Sequence, residues 1–280
     1  VYRLRATGRW PKPWILPRRK DFGPFLAFAG PVFLLLLVKS LTFTTMTAYA
    51  AGLGTATAAA HQIYVSLLFL TAVAVGTPLS WAAQSFMPGY LAKKNSGKAS
   101  DGSDSPTTCL RALLAVGVGC AGLAAGGVVG ILRFGTRLFT SDPGVVAAMV
   151  NPNNAIPLVG FVLIYPVFLA LEGSLIAARR LRLSLLMSTV LFLSTAGLYR
   201  VLSRLGWLSL SALWSASTAS LLLATAASLL VAANACSDVD NDEQEVIAVM
   251  GGVGAEAKAG SADEAAEKRK REGEVADGDY

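Results

Sequence analysis

Between Ser40 and Ala92 the chain contains no Asp, Glu, Lys or Arg. A surface in water needs charge along such a stretch; a hydrocarbon core of about 30 Å does not, and roughly 20 apolar residues cross it as a helix. The run is too long for one crossing. Gly52-Leu53-Gly54 divides it, because glycine permits the backbone angles of a tight reversal. Two spans result, about residues 24–51 and 55–91. The whole chain is of this kind, 54% hydrophobic and 15% charged, whereas an average soluble domain is about 25% charged.

Four further spans follow from the same reading. The third, 112–132, lies between Arg111 and Arg133. The fourth, 156–178, follows the polar break Asn151-Pro152-Asn153-Asn154, with a short interfacial helix expected from Pro143. The fifth, 183–199, lies between Arg182 and Arg200, and the sixth is 205–233. The second span is overlong and contains Pro78, which removes a backbone donor and bends a helix. Its last turns, through Trp81 and Tyr90, leave the core at the interface where such aromatics collect. The expected fold is an all-α membrane protein with six transmembrane helices.

Charge position fixes the orientation. The net charge of +6 would point to an acidic partner such as nucleic acid in a soluble protein. Resolved along the chain, it is +14 up to Ser237 and −8 from Asp238 onwards. Lys and Arg near span ends accumulate on the cytoplasmic side. Six spans place 14 of them on one side and 4 on the other; counting the second span as two crossings gives 11 and 7. Six spans with both termini cytoplasmic, or stromal in a plastid, is the better account. Residues 1–23 then form a basic segment on the same side, 24–235 the membrane body, and 236–280 an acidic tail with too little apolar content to fold alone. The basic character reports orientation, and no nucleic-acid partner is expected.

The three cysteines, Cys109, Cys120 and Cys236, show no metal-ligand or disulfide spacing. The chain starts at Val1 without a signal-peptide pattern, so it is expected to be part of a longer protein. It has no phosphate-binding glycine loop, no HExxH helix, no GxSxG turn and no second histidine. An enzyme is therefore not expected, nor a bound metal or organic cofactor.

Ionisable groups inside a membrane are costly and are functional candidates by default. Lys39 lies about 15 residues into its span, too deep to snorkel. It reads either as a fixed cation lining a solute pathway or as a lysine paired silently within the bundle. Glu172, near the basic end of the fourth span, is either a proton-accepting group or a structural partner for Arg179, Arg180 or Lys39. His61 is the lone histidine; it reads first as a hydrogen-bonded packing element and second as a proton switch. Gly122, Gly126 and Gly130 recur every fourth residue, the small-residue stripe that lets membrane helices approach closely. Thr42, Thr44, Thr45 and Thr47 form a hydroxyl face near Lys39.

The order of motifs carries a resemblance. Gly54 to Ile63 (GTATAAAHQI, with His61 and Gln62), then Pro78-Leu79-Ser80, then Ala83 to Pro88 (AQSFMP, with Gln84) is similar to the eighth helix of multidrug and toxic compound extrusion (MATE) transporters. Leu171-Glu172-Gly173-Ser174-Leu175-Ile176-Ala177-Ala178-Arg179 resembles their tenth helix. The wording is nearest to the plastid-type branch of plants and algae, and the likeness covers about residues 22–235.

The resemblance implies a carrier of twelve helices in two six-helix lobes, exchanging an organic solute for Na⁺ or H⁺. This chain would be the second lobe, with residues 1–23 the end of the basic cytoplasmic linker between lobes, and the partners implied are the bilayer, a small organic solute and a six-helix N-terminal lobe of the same protein. The location implied is a multi-pass membrane protein of the plastid envelope. Gln62, Pro78, Gln84, Pro88 and Gly173 would be motif positions with structural roles. Many family members carry a cation-binding glutamate in the seventh helix, and Lys39 stands at that position here. An ammonium cannot ligate Na⁺; it favours an anionic solute, such as an organic acid, with Glu172 as a proton site. A single lobe acting only structurally or in assembly is the alternative from a different class.

Overall fold

The structure, a computed structural model, describes residues 19–95 and 105–237. Most of the expected basic linker, the loop 96–104 and the tail from residue 238 lie outside the described residues. All regular elements described are helical: α1 (Arg19–Ala51), α2 (Thr55–Thr71), α3 (Thr77–Asn95), α4 (Pro106–Gly130), α5 (Pro143–Val150), α6 (Pro152–Ala177), α7 (Leu181–Arg204) and α8 (Leu210–Ser237). Among the described residues, six stretches are long and apolar enough to cross a membrane: Phe25–Ala51, Thr55–Lys93, Pro106–Leu138, Pro152–Ala177, Leu181–Arg204 and Leu210–Ala233.

The ends of the helices follow from capping chemistry. α1 begins at Arg19, inside the segment read as a linker, but its charged first turn precedes an apolar span that starts at Phe25. The third span starts at Pro106 rather than near Ala112. Ser105 caps it, its Oγ accepting from Thr107 N at 3.2 Å, and Pro106 occupies a position that needs no N–H. The fourth starts at Pro152 by the same logic, with Asn151 Oδ1 accepting from Asn153 N at 3.0 Å. The short helix expected from Pro143 is α5, capped by Asp142 Oδ1 at 2.7 Å from Gly144 N. α7 runs on to Arg204, past the expected end at Tyr199, because arginines near a span end can extend their charge into the interface. Gly206, at φ +71°, then breaks the chain, so the sixth span starts at Leu210 rather than Leu205.

The second span bends as Pro78 requires. A π-helical turn, Ala72–Gly76, separates α2 from α3 just before the proline. The wider turn accommodates the absent donor, and Thr77 Oγ1 donates to Ala72 O at 3.1 Å. Pro88 lies within α3 without ending it. A second π turn, Ile131–Gly135, follows α4.

α6 is the central helix, packed on α3, α4 and α8, while α7 packs on α1 and α8. The main core joins Tyr64, Leu68, Met149, Leu158, Val162, Leu213 and Trp214; a smaller cluster around Met87, Leu171 and Leu175 lies towards the end of α6. The outer surface is as apolar as the core, with Phe33, Leu123, Phe134 and Leu223 largely exposed. Such a surface fits lipid as its solvent.

The closest backbone approach joins α3 to α6. A Cβ added at Gly173 would stand 2.6 Å from Ser80 O and 2.7 Å from Ser80 Cα, and one at Gly76 would meet the Leu169 side chain at 2.5 Å. The stripe Gly122, Gly126 and Gly130 does not serve this purpose: among the described residues nothing lies within 4 Å of a Cβ built at any of the three. Spacing defines a helix face but not its neighbour, and α4 packs inward through Ala121, Ala125 and Val128 instead.

Candidate functional site

Lys39 and Glu172 meet. Lys39 Nζ donates to Glu172 Oε2 at 2.5 Å, with the lysine side chain 22% and the glutamate 6% exposed. Helix direction explains how residues 133 apart come together. Cα–Cβ bonds tilt towards a helix N-terminus. α1 and α6 enter from opposite faces of the membrane, so the lysine leans one way, the glutamate the other, and their ends converge between the helices. Of the partners open to Glu172 on sequence grounds, the structure places Lys39 against it.

The pair borders a small cavity between α1, α6, α7 and α8, where the volume open to the centre of a water molecule is about 20 Å³, room for roughly one ordered water. One stripe of α1 (Lys39, Thr42, Phe43, Met46) faces Phe161, Tyr165 and Phe168 of α6, with Leu191 and Thr195 of α7 and Ser217 of α8 closing the ring. Phe43 meets Tyr165 edge-on at 6.2 Å between centroids. Ser217 is held by three contacts: a hydrogen bond with the Tyr199 hydroxyl, donation to Leu213 O at 2.8 Å, and Met46 Sδ at 3.8 Å. The surface open to the cavity is apolar, so Lys39, Thr42, Tyr165, Thr195 and Ser217 face it with their carbon atoms while their polar groups lie outside its wall.

The other sequence candidates lie elsewhere. His61 is buried nearer the α1–α2 turn, its Nε2 3.4 Å from Thr47 Oγ1 and its ring 5.8 Å from the Trp214 ring. Thr47 follows Lys39 by eight residues, about 12 Å along the helix, so the histidine ties α1, α2 and α8 together without reaching the ion pair. Of the threonine face only Thr42 lines the cavity, and it also donates to Val38 O at 3.0 Å. Gln62 is exposed, and Gln84 Nε2 donates to Ser80 Oγ at 3.2 Å beside the Gly173 contact. Pro78, Pro88 and Gly173 shape the helices as described. Tyr165, Thr195 and Ser217 were not identified from sequence. Their signal was available as hydroxyl-bearing residues at helical spacing in three spans, but nothing in a single sequence says which helix faces Lys39. Among the described residues, no group of His, Cys, Asp and Glu side chains is arranged to hold a metal ion.

Comparison with known proteins agrees with this architecture. No family model matches the chain. It is 31% identical over 171 residues to Protein DETOXIFICATION 47, chloroplastic, of Arabidopsis thaliana, a match covering 60% of this chain and 29% of that protein. It superimposes on a solved multidrug resistance MATE family transporter of the MOP superfamily, in an outward-facing conformation, with a TM-score of 0.66 at 14% identity. That alignment covers 84% of this chain and 52% of the transporter. The chain therefore spans about half of the solved transporter and under a third of the plant protein. With six spans in the observed order, the Gly173–Ser80 crossing between the two motif helices and these two matches, the chain has the fold of one six-helix lobe of a two-lobe MATE-type transporter and is similar in sequence to the plant protein over the matched residues.

Proposed function

We propose that this lobe forms half of a secondary active efflux transporter, which exports a small organic solute in exchange for H⁺ or Na⁺ by rocking of two lobes about a central cavity. The likeness to the plant protein and to the fold of a MATE transporter supports transport over catalysis. The observation that carries the finer reading is the Lys39–Glu172 pair inside the membrane, with Lys39 at the edge of a small cavity. Of the two coupling ions the pair favours the proton. The Lys39 ammonium already fills the place beside the carboxylate that Na⁺ would need, whereas a proton ends the ion pair by neutralising Glu172. A second, finer reading takes the solute to be an organic acid anion with Lys39 as its counter-ion, in which case solute and proton bind together and move in the same direction rather than in exchange. The plastid envelope is the location proposed, from the chloroplastic relative.

The direction of coupling depends on the solute's charge. An anion takes Lys39 when Glu172 releases it, and Glu172 releases it on protonation, so an anion held at Lys39 and a proton on Glu172 favour each other. A solute held away from Lys39 carries no such link, and exchange then follows from the lobe alternating between a protonated, open pair and a closed pair. Reconstitution of the two-lobe protein in proteoliposomes, with flux and internal pH followed together, tests both levels. Carboxylate export at the normal rate in Lys39→Ala overturns the anion assignment. Proton movement in the same direction as the solute overturns exchange, and absence of solute flux with any gradient overturns transport itself and returns the lobe to a structural role.

A further inference from the structure

A larger hollow lies on α6 where it meets α4 rather than α1, α7 and α8. It is a groove between the end of α4 and the start of α6, and the volume open in it to the centre of a water molecule is about 290 Å³. Val129 and Leu132 line one wall, Ile156 and Val159 the other, and Val150 of α5 lies at the end near the membrane face. From Pro152 to Val159 the groove follows α6 for about 10 Å. Val129 is 48% and Ile156 68% exposed, so the groove opens sideways onto the apolar belt of the lobe.

One lining side chain carries a charge. Arg133 belongs to the π turn Ile131–Gly135, borders the groove and is exposed. Among the described residues no carboxylate pairs with it, and Asp142, the acid nearest to it in sequence, is engaged in capping α5. Orientation does not account for it either. The positive-inside bias collects Lys and Arg on the face that holds the α6–α7 turn, whereas Arg133 is one of four on the opposite face, and Arg137, another of the four, follows in the next turn. An uncompensated guanidinium beside an apolar groove at the edge of hydrocarbon is complementary to a ligand with an anionic head and an apolar chain.

We propose that the α4–α6 groove binds an anionic phospholipid, one acyl chain lying along Val129, Ile156 and Val159 and the phosphate meeting Arg133. The guanidinium is a planar fork that matches phosphate oxygens. Arg137 adds a second positive charge near the head group, which favours a lipid of net negative charge over a zwitterion. A protein segment fits the groove less well, because it would have to bring a carboxylate of its own to Arg133, whereas lipid phosphate surrounds the lobe at this depth. The site lies apart from the Lys39–Glu172 pair and does not rest on the transport reading.

Native mass spectrometry of the full chain, released from detergent with phosphatidylglycerol or phosphatidylcholine of matched chains, tests this through the fraction that keeps one lipid. Phosphatidylglycerol is expected to be retained at least about fivefold more strongly than phosphatidylcholine, and Arg133→Gln to lose that preference. Arg204→Gln removes the same charge on the same face at the end of α7, and is expected to bind as the parent does. Ile156→Trp fills the groove from its exposed rim with every charge kept, and is expected to weaken retention of phosphatidylglycerol. Glycerol phosphate in excess offers the head without the chain and is expected not to displace the lipid. Unchanged retention in Arg133→Gln or Ile156→Trp, an equal loss in Arg204→Gln, or displacement by glycerol phosphate each overturns the site. Should a variant fail to fold, the parent decides: equal retention of the two lipids overturns the proposal and returns the groove to ordinary lipid or a protein contact.

Discussion

Lys39 and Glu172 hold opposite charges at one point in the membrane, and each makes the other tolerable there. Removing one partner leaves the other's charge poorly compensated, which is costlier than removing both. Glu172→Gln is therefore expected to destabilise the lobe by about 3 kcal/mol, the lower end of the range for a broken buried pair because Lys39 keeps some exposure. The double variant Lys39→Met with Glu172→Met is expected to lie close to the parent. Thermal unfolding in detergent checks both, and a double variant no more stable than Glu172→Gln would mean that the pair is not the dominant interaction. The sequence showed both residues to be out of place in hydrocarbon but did not show that they were each other's answer. That depends on α1 and α6 being close in space and opposite in direction, which is a property of the packed lobe. His61 illustrates the converse, since its rarity drew attention while its surroundings, Thr47 and Trp214, make it a tie between helices.

Among elements, the six apolar stretches were legible because length and absence of charge are one-dimensional properties. Their ends were less so, because Ser105, Asn151 and Gly206 set them by local hydrogen bonding and backbone angle rather than by hydropathy. Glycine usage was misread for a similar reason. The regular stripe on α4 faces open space, whereas the isolated Gly173 holds α6 against the Ser80 backbone. Gly173→Ala is expected to cost about 1–3 kcal/mol, since backbone rather than a flexible side chain must yield. Gly126→Ala is expected to change stability by no more than about 0.5 kcal/mol. Unfolding midpoints of the two variants check the contrast, and equal midpoints would show that the crossing relaxes freely.

Across the whole molecule, the charge asymmetry and the even number of spans put the α6–α7 turn and the α7–α8 turn on opposite faces. In sealed membrane vesicles that keep the native orientation, a single cysteine at Ser209 is expected to react with an impermeant thiol reagent applied outside, and one at Leu181 only after permeabilisation. The reverse pattern would invert the assigned orientation. The apolar belt around the lobe is not uniform: the α1 span is the least covered of the six, with 6% of its most apolar window buried against 44% for the second and fourth spans. Such a helix has the fewest contacts to break if it moves.

The second span has a mechanical consequence. Its α3 half is clamped to α6 where Gly173 meets Ser80, and its α2 half, 17 residues long, begins beyond the π turn at Ala72–Gly76. Clamp and soft joint together make a fulcrum, with α2 as an arm of about 25 Å. A rotation of about 5° at the joint would carry the free end of that arm through about 2 Å, so a deformation confined to a single turn is magnified at the far surface of the membrane.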